Sequence, residues 1–309
     1  MLTILALFKD CPFCVLKAVS VRRFLSHLGL VALCAVGAAG IIAAAPGSVP
    51  PEQHSASSVS AVHIAPHRAI YKMRLASVKN GSNITDVAGQ MLFEWRDVCD
   101  GWAIQQHMQL HFTYSDGDDQ DVISTELTYE SKDGKNYNFN IRRLTNGQET
   151  ENYHGKAVQN PDSSVSVVYS IPEGKKLQLP AGTLFPSAHT ELVLRSAAES
   201  QKFFTRRVFD GSDEDGSSDI SAFIMPQRAL AQEAGLDSKL KENPLLADAA
   251  WPVHMAFFAI GSETGEPDYE MDLALLPNGV ARHMKIDYGD FSVTGNLEDI
   301  EALPAQKCP

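Results

Sequence analysis

The sequence predicts an all-β fold with a few helices: about twelve to fourteen mainly antiparallel strands, too many for a flat open sheet. They are expected to curl into a closed or nearly closed barrel, or to stack as two sheets. Three observations lead there. Apolar residues recur at every second position over most of the chain after residue 66. Asn-Gly and Asp-Gly pairs, which supply the positive φ that tight hairpins need, stand between the alternating runs. One segment alone carries an apolar stripe at helical spacing, and a modest one.

Strands are expected over 67–78, where Ala69, Tyr71, Met73 and Leu75 share a face, and over 87–96, where Gly89, Met91, Phe93 and Trp95 do. The longest run, 102–114, puts Trp102, Ile104, Gln106, Met108, Leu110 and Phe112 on one side and Ala103, Gln105, His107, Gln109 and His111 on the other. That is a half-buried strand. Further strands are read at 122–130, 137–144 and 165–171. Asn80-Gly81, Asp116-Gly117, Asp133-Gly134, Asn146-Gly147 and Asn160-Pro161 separate these runs as turns, so consecutive strands pair in a meander. Pro186 suits a first helical position, and Ala188, Leu192, Val193, Ser196 and Ala197 give 186–199 its apolar stripe. Strands resume at 202–209, 219–225, 251–260, 269–276, 280–288 and 291–297, with Asn278-Gly279 as a hairpin turn. Between them, 227–248 breaks the alternation with Gly235 and Pro244, and 227–241 reads as a loosely held helix or an excursion loop. With no internal repeat and no linker after residue 66, residues 66–309 are expected to form one β-barrel domain.

The net charge of −12 is unevenly spread. Residues 1–45 hold Lys9, Lys17, Arg22 and Arg23 against Asp10, a local +3 that leaves −15 for the remainder. So acidic a surface argues against nucleic acid as a partner and disfavours a polybasic membrane contact. Arg22 and Arg23 precede an apolar run over 28–45 that ends in alanines, and a Ser/Pro/Ala-rich stretch follows. This is the pattern of a signal peptide over 1–45, cleaved after Ala45, with a flexible linker over 46–65. A retained membrane anchor competes, but Gly29, Gly37 and Gly40 leave the run poorly hydrophobic. Cys11 and Cys14 have the spacing of a redox motif, yet an export sequence follows instead of a redox fold. The motif is therefore read as incidental, within an over-extended start. Leu33 before Cys34 is not the small residue a lipidation signal takes.

Removal of that leader leaves Cys99 and Cys308. In an oxidising compartment such a pair defaults to a disulfide, with two free buried thiols or a mixed disulfide as the alternative. Neither has a second Cys or His at ligand spacing, so no metal is assigned. His107 and His111 lie about 13 Å apart by strand rise, too far to share an ion. His63 and His67 are no better placed, and His189 and Glu191 come without a hydrolase or zincin motif. The acidic run over 210–219 lacks the ligand order of a calcium loop and reads as a solvated inter-strand loop. No catalytic residue and no cofactor is therefore assigned. Aromatic side chains, however, exceed what one barrel face needs. Trp102, Phe112, Trp251 and Phe257 are the candidates to line a cavity for a lipid or acyl chain, with a core shared between sheet and helix as the alternative.

Several short motifs then recur in order along the chain: Trp95-Arg96-Asp97-Val98-Cys99-Asp100-Gly101-Trp102, Leu179-Pro180-Ala181-Gly182-Thr183-Leu184-Phe185-Pro186 with His189-Thr190, and Arg207-Val208-Phe209-Asp210-Gly211. Asn278-Gly279-Val280, Ile286-Asp287-Tyr288-Gly289 and the terminal Cys308 continue the series. Over about residues 65–309 the chain resembles the EipB family of bacterial cell-envelope integrity proteins. The resemblance implies a periplasmic protein of Gram-negative bacteria with a broken or spiral-like antiparallel β-barrel and internal helices. It implies a Cys99 to Cys308 disulfide, a tetratricopeptide-repeat protein as envelope partner, and a distant likeness to lipoprotein carriers such as LolA and LolB. It implies no enzymatic activity. The longer presequence with Cys11 and Cys14 departs from the pattern and bears only on the start. The expected role is non-catalytic: envelope integrity through binding a protein partner or an apolar, lipid-like ligand. The rival is a periplasmic hydrolase whose site is assembled by folding.

Overall fold

The first and last strands are neighbours. A computed structural model describes residues 62–213, 217–228, 238–261, 265–304 and 306–308. The expected leader over 1–45, with Cys11, Cys14 and Cys34, and the linker up to residue 61 lie outside the described residues. In chain order the strands are β1 (His67–Val78), β2 (Ile84–Asp97), β3 (Gly101–Tyr114), β4 (Gln120–Ser131), β5 (Asn136–Thr145), β6 (Gln148–Gln159), β7 (Val165–Ile171) and β8 (Lys176–Leu179). Helix α1 (Pro186–Ala198) follows, then β9 (Phe203–Val208), β10 (Ser218–Ile224), the short helix α2 (Ser238–Lys241) and a 3-10 turn (Pro244–Leu246). Strands β11 (Trp251–Ala259), β12 (Tyr269–Leu275), β13 (Ala281–Asp287) and β14 (Phe291–Ala302) complete it.

All fourteen strands form one sheet in the order β8-β7-β6-β5-β4-β3-β2-β1-β14-β13-β12-β11-β10-β9, and every neighbouring pair is antiparallel. Tight turns force this meander, and β1 splices its two arms by pairing with both β2 and β14. The sheet curls, because inward side chains of β1–β3 share one core with those of β9–β14, as where Phe112 meets Phe291 edge to face. Closure stops short of strand pairing: after β8, Leu184 bridges β9 in parallel, accepting from Phe209 N and donating to Arg207 O, both at 2.9 Å. The β9 edge is blunted further, with Arg206 Nη1 on the Thr205 carbonyl and Gln201 Nε2 on that of Phe203. The fold is thus an open, curled antiparallel barrel. No helix among the described residues is long and apolar enough to cross a membrane.

Twelve of the strands coincide with alternating runs in the sequence; β6 and β8 do not. The inward positions of β6 are Glu151, Tyr153, Gly155 and Ala157, so the strand shows no apolar alternation. Glu151 instead pairs with the buried Arg143 of β5, and Gly155 leaves room for Phe139, whose ring would lie 2.5 Å from any Cβ there. The 227–248 excursion is anchored rather than loose where it is described. Leu240 and Leu246 are buried, Asn278 Nδ2 donates to Leu245 O, and Arg282 donates to the carbonyls of Leu246 and Asp248. Packing also begins ahead of residue 66. Ile64 is buried against Gly279, which has a φ of +82° and whose missing Cβ gives it room, and Ala65 N bonds Asn278 O.

Candidate functional site

Strand β4 separates two cores. It turns Ser124, Glu126, Thr128 and Glu130 inward, all buried, while Leu127 and Tyr129 face outward. On one side lies the large core. On the other is a smaller aromatic cluster of Tyr137, Phe139, Tyr169, Phe185 and Phe209 with Val165, Val167 and Leu179. Tyr137 stacks on Phe185 at 5.1 Å, and Phe139 meets Tyr169 and Phe209 edge to face.

Helix α1 starts at this seam. Its N-cap, Phe185, has no side chain able to cap, so the free N–H groups of the first turn take a partner from elsewhere. Both oxygens of Glu130 supply it, accepting from Ser187 N at 2.6 Å and Ala188 N at 2.8 Å. Burial pushes the Glu130 carboxyl up to about 7 against the pull of those two N–H groups. One residue on, His189 is fully buried beside Phe204, without a hydrogen-bond partner among the described residues, and its imidazole is pushed down to about 3 by desolvation. It is neutral at any physiological pH.

The stretch 210–213 was expected to be solvated, and it is not. Gly211 and Ser212 are buried under β5 and β7. Tyr137 and Tyr169 donate to the carbonyls of Asp210 and Asp213, and Arg143 reaches Ser212 O. Gly211, at a φ of +75°, lies so close to Phe139 that a Cβ would come within 2.6 Å of the ring. Burial and the neighbouring Asp213 push the Asp210 carboxyl upward, and its Oδ1 accepts from Ser212 N and Oγ. The loop is a plug, held because aromatic hydroxyls satisfy its backbone carbonyls.

The four aromatic candidates are core side chains. Phe112 and Phe257 are fully buried, Trp102 nearly so, and Trp251 packs against the same core. Phe257 stacks on Tyr269 at 4.2 Å, and rings continue through Tyr288 and Phe291 to Phe112, so the aromatic surplus is spent on packing. Trp102 meets Trp95 edge to face and donates its indole N–H to Glu191 Oε1 at 3.0 Å, with Lys132 Nζ 4.8 Å above its ring. Cys99 is joined to Cys308, tying the β2–β3 turn to the chain's end, with Cα atoms 5.6 Å apart. Cys99 takes a φ of 73°, a costly conformation for a side-chain-bearing residue, and Asp97 supports it by accepting its N–H while gripping Lys132. His107 bonds Thr125 and His111 bonds Asp121, each on the outer face, and no group able to hold a metal occurs among the described residues.

Outside, a concavity of about 340 Å³ lies over β3–β5, lined by Arg96, Ala103, Gln105, Leu127, Asn138 and Asn140, with Tyr129 beside them. None of the four aromatic candidates lines this concavity. The signal was the alternation of β4, where Ile123, Leu127 and Tyr129 oppose Ser124, Glu126, Thr128 and Glu130 and so mark an apolar outer face.

Comparison with known proteins agrees with the architecture. The EipB-like family model matches residues 58–304. The cell envelope integrity protein EipB of Brucella abortus (strain 2308) is 31% identical over 259 residues, covering 82% of this chain and 89% of that protein. A crystal structure of a β-barrel-like protein of domain of unknown function DUF1849 from Brucella abortus superposes with a TM-score of 0.73 at 28% identity. That match covers 79% of this chain and 100% of the other.

Proposed function

We propose, from the premise that this chain belongs to the EipB-like family, that it is an exported, non-catalytic protein that preserves the cell envelope by binding another envelope component on its outer surface. The observation that carries this reading is the extent of the kinship: the relative named for envelope integrity aligns along most of the chain, so the whole barrel is shared rather than one motif. Use of Trp102, Phe112 and Phe257 as core side chains supports an external contact over an acyl chain held inside. Two interior titratable groups, Glu130 and His189, are withdrawn from solvent. Glu130 commits both oxygens to the α1 backbone, and His189 is fully buried beside Phe204, which argues against either as the general base of a periplasmic hydrolase. A tetratricopeptide-repeat protein of the periplasm is the first protein partner to try.

Deleting the gene in its own host should sensitise cells to deoxycholate and to large antibiotics. The full chain should restore the barrier, and a chain lacking residues 1–45 should not. A barrier unchanged by deletion would overturn the reading.

A further inference from the structure

The middle of the outer face over β3–β6, between the Asp121 and Glu149 ends and Glu94 of β2, carries no acidic side chain. Outward positions within 103–107, 125–129, 138–142 and 152–158 hold no Asp or Glu, although the net charge is −12. Strand register assembles two outward rows. One runs Gln105, Leu127, Asn140, His154, and the next runs Ala103, Tyr129, Asn138, Lys156. The concavity of about 340 Å³ lies between the β3–β5 members of these rows. Leu127 is 43% exposed within it, and the amides of Gln105, Asn138 and Asn140 make no hydrogen bond among the described residues. Arg96 stands at the rim, its guanidinium held by Glu94 through Nε and Nη2.

Such a groove selects its ligand by elimination. Strands β3, β4 and β5 are each paired on both sides, so no backbone edge is open for an extended peptide to join. Recognition must come from side chains: three free amides, each with two donors and an acceptor oxygen, around an aliphatic floor. A chair-form pyranose ring with an apolar face of axial C–H groups and equatorial hydroxyl and acetamido groups matches that pattern. The acetyl methyl and ring C–H groups of such a ligand would meet Leu127 and Ala103, while the amides would pair with hydroxyls and with the acetamido N–H and C=O. The volume, at the low end of ordinary ligand sites, suits about one or two such rings. Lys156 stands on the same face as a cation unpaired among the described residues, while Glu94, opposite Gln105, takes up the charge of Arg96.

We propose that this groove binds an N-acetylated hexosamine glycan of the envelope, which deepens the functional reading above and rests on it. Protein purified from the periplasm should co-sediment with purified peptidoglycan sacculi, and triacetylchitotriose at millimolar concentration should release it. The variant N138A/N140A and the variant Leu127→Asp should each weaken sedimentation at least tenfold with an unchanged circular dichroism spectrum. Gln90→Ala, on the same face outside the groove, should leave it unchanged. Failure to bind either probe overturns the inference, as does binding that the groove variants do not weaken, or capture of a peptide there that the sugar does not displace. If the deletion phenotype persists while glycan binding fails, this inference falls and the envelope role stands; glycan binding without any envelope phenotype separates them the other way.

Discussion

The part of the sheet formed by β1–β3 and β9–β14 and the part formed by β5–β8 bury side chains by different means. The larger part packs Trp95, Phe112, Phe257 and Met271 with many aliphatic residues into one continuous core. The smaller part has a short aromatic list and relies on polar anchors: the Arg143 to Glu151 ion pair, the tyrosine hydroxyls on the plug loop, and the Glu130 cap on α1. Apolar area can supply stability almost without direction, whereas an anchored region depends on each polar contact being complete. The two parts should therefore fail differently.

The widest difference is expected from deleting one ring on each side. Phe257→Ala should cost about 3–5 kcal/mol, the usual range for an aromatic removed from a packed core. Phe139→Ala empties the space over both Gly155 and Gly211 and should release the smaller part first. All three tryptophans, Trp95, Trp102 and Trp251, belong to or pack on the large core, so their fluorescence reports that part while far-ultraviolet circular dichroism reports both. In urea the two probes should shift together for Phe257→Ala and separate for Phe139→Ala. Coincident curves in the second variant would make the two parts one cooperative unit.

Loss of the cross-link is expected to come next. Cys99 and Cys308 are 209 residues apart, and C99S/C308S should lower stability by about 2–4 kcal/mol by restoring freedom to the unfolded chain. The loss should appear as a lower melting temperature with the fold retained. Denatured, unreduced wild-type protein should show no free thiol among Cys99 and Cys308.

The seam between the two parts should make stability depend on pH with two opposing signs. Glu130 is raised to about 7 when folded, so its contribution is complete below the unfolded value near 4.5 and is lost as pH rises through about 7. His189 is lowered to about 3, so its contribution is complete above 6.5 and is lost as pH falls. Between pH 4.5 and 6.5 the two slopes have opposite sign and offset each other. Glu130→Gln should leave stability that falls toward acid in this window, and His189→Gln stability that falls toward base. Urea midpoints from pH 4.5 to 8 check it; parallel profiles for wild type and both variants would remove the seam as the source.

The same contrast explains what the sequence made legible. In β1–β3 and β11–β14 inward positions are mostly apolar, with Gln106 an exception, and alternation alone locates strands such as the one bearing Trp102 to Phe112. In β6 the inward positions are Glu151, Tyr153, Gly155 and Ala157, and a strand whose partners supply its cohesion carries no pattern of its own. The plug was unreadable for a related reason. Asp210 and Asp213 suggest solvent locally, and the tyrosines that bury their carbonyls stand 73 and 44 residues away. The outer groove escaped because Gln105, Asn138 and Asn140 become neighbours only through register.

The smallest effects give the finest test of that contrast. Tyr71 in the large core donates to Ala281 O at 2.7 Å, and Tyr137 in the small one donates to Asp210 O at 2.8 Å. Replacing either by Phe removes one hydroxyl and strands one carbonyl, at a cost of about 1–2 kcal/mol. Equal deletions should still be read out unequally. Ala281 lies in β13 with strands on both sides, so Tyr71→Phe should lower protection across the whole sheet evenly. Asp210 lies in a loop whose hold on the barrel comes from a few such bonds, so Tyr137→Phe should speed amide exchange at 209–213 far more than in β1 or β13. Uniform loss of protection in both variants would show that the plug is held by the sheet around it, and that the smaller part is less dependent on its polar anchors than its side chains indicate.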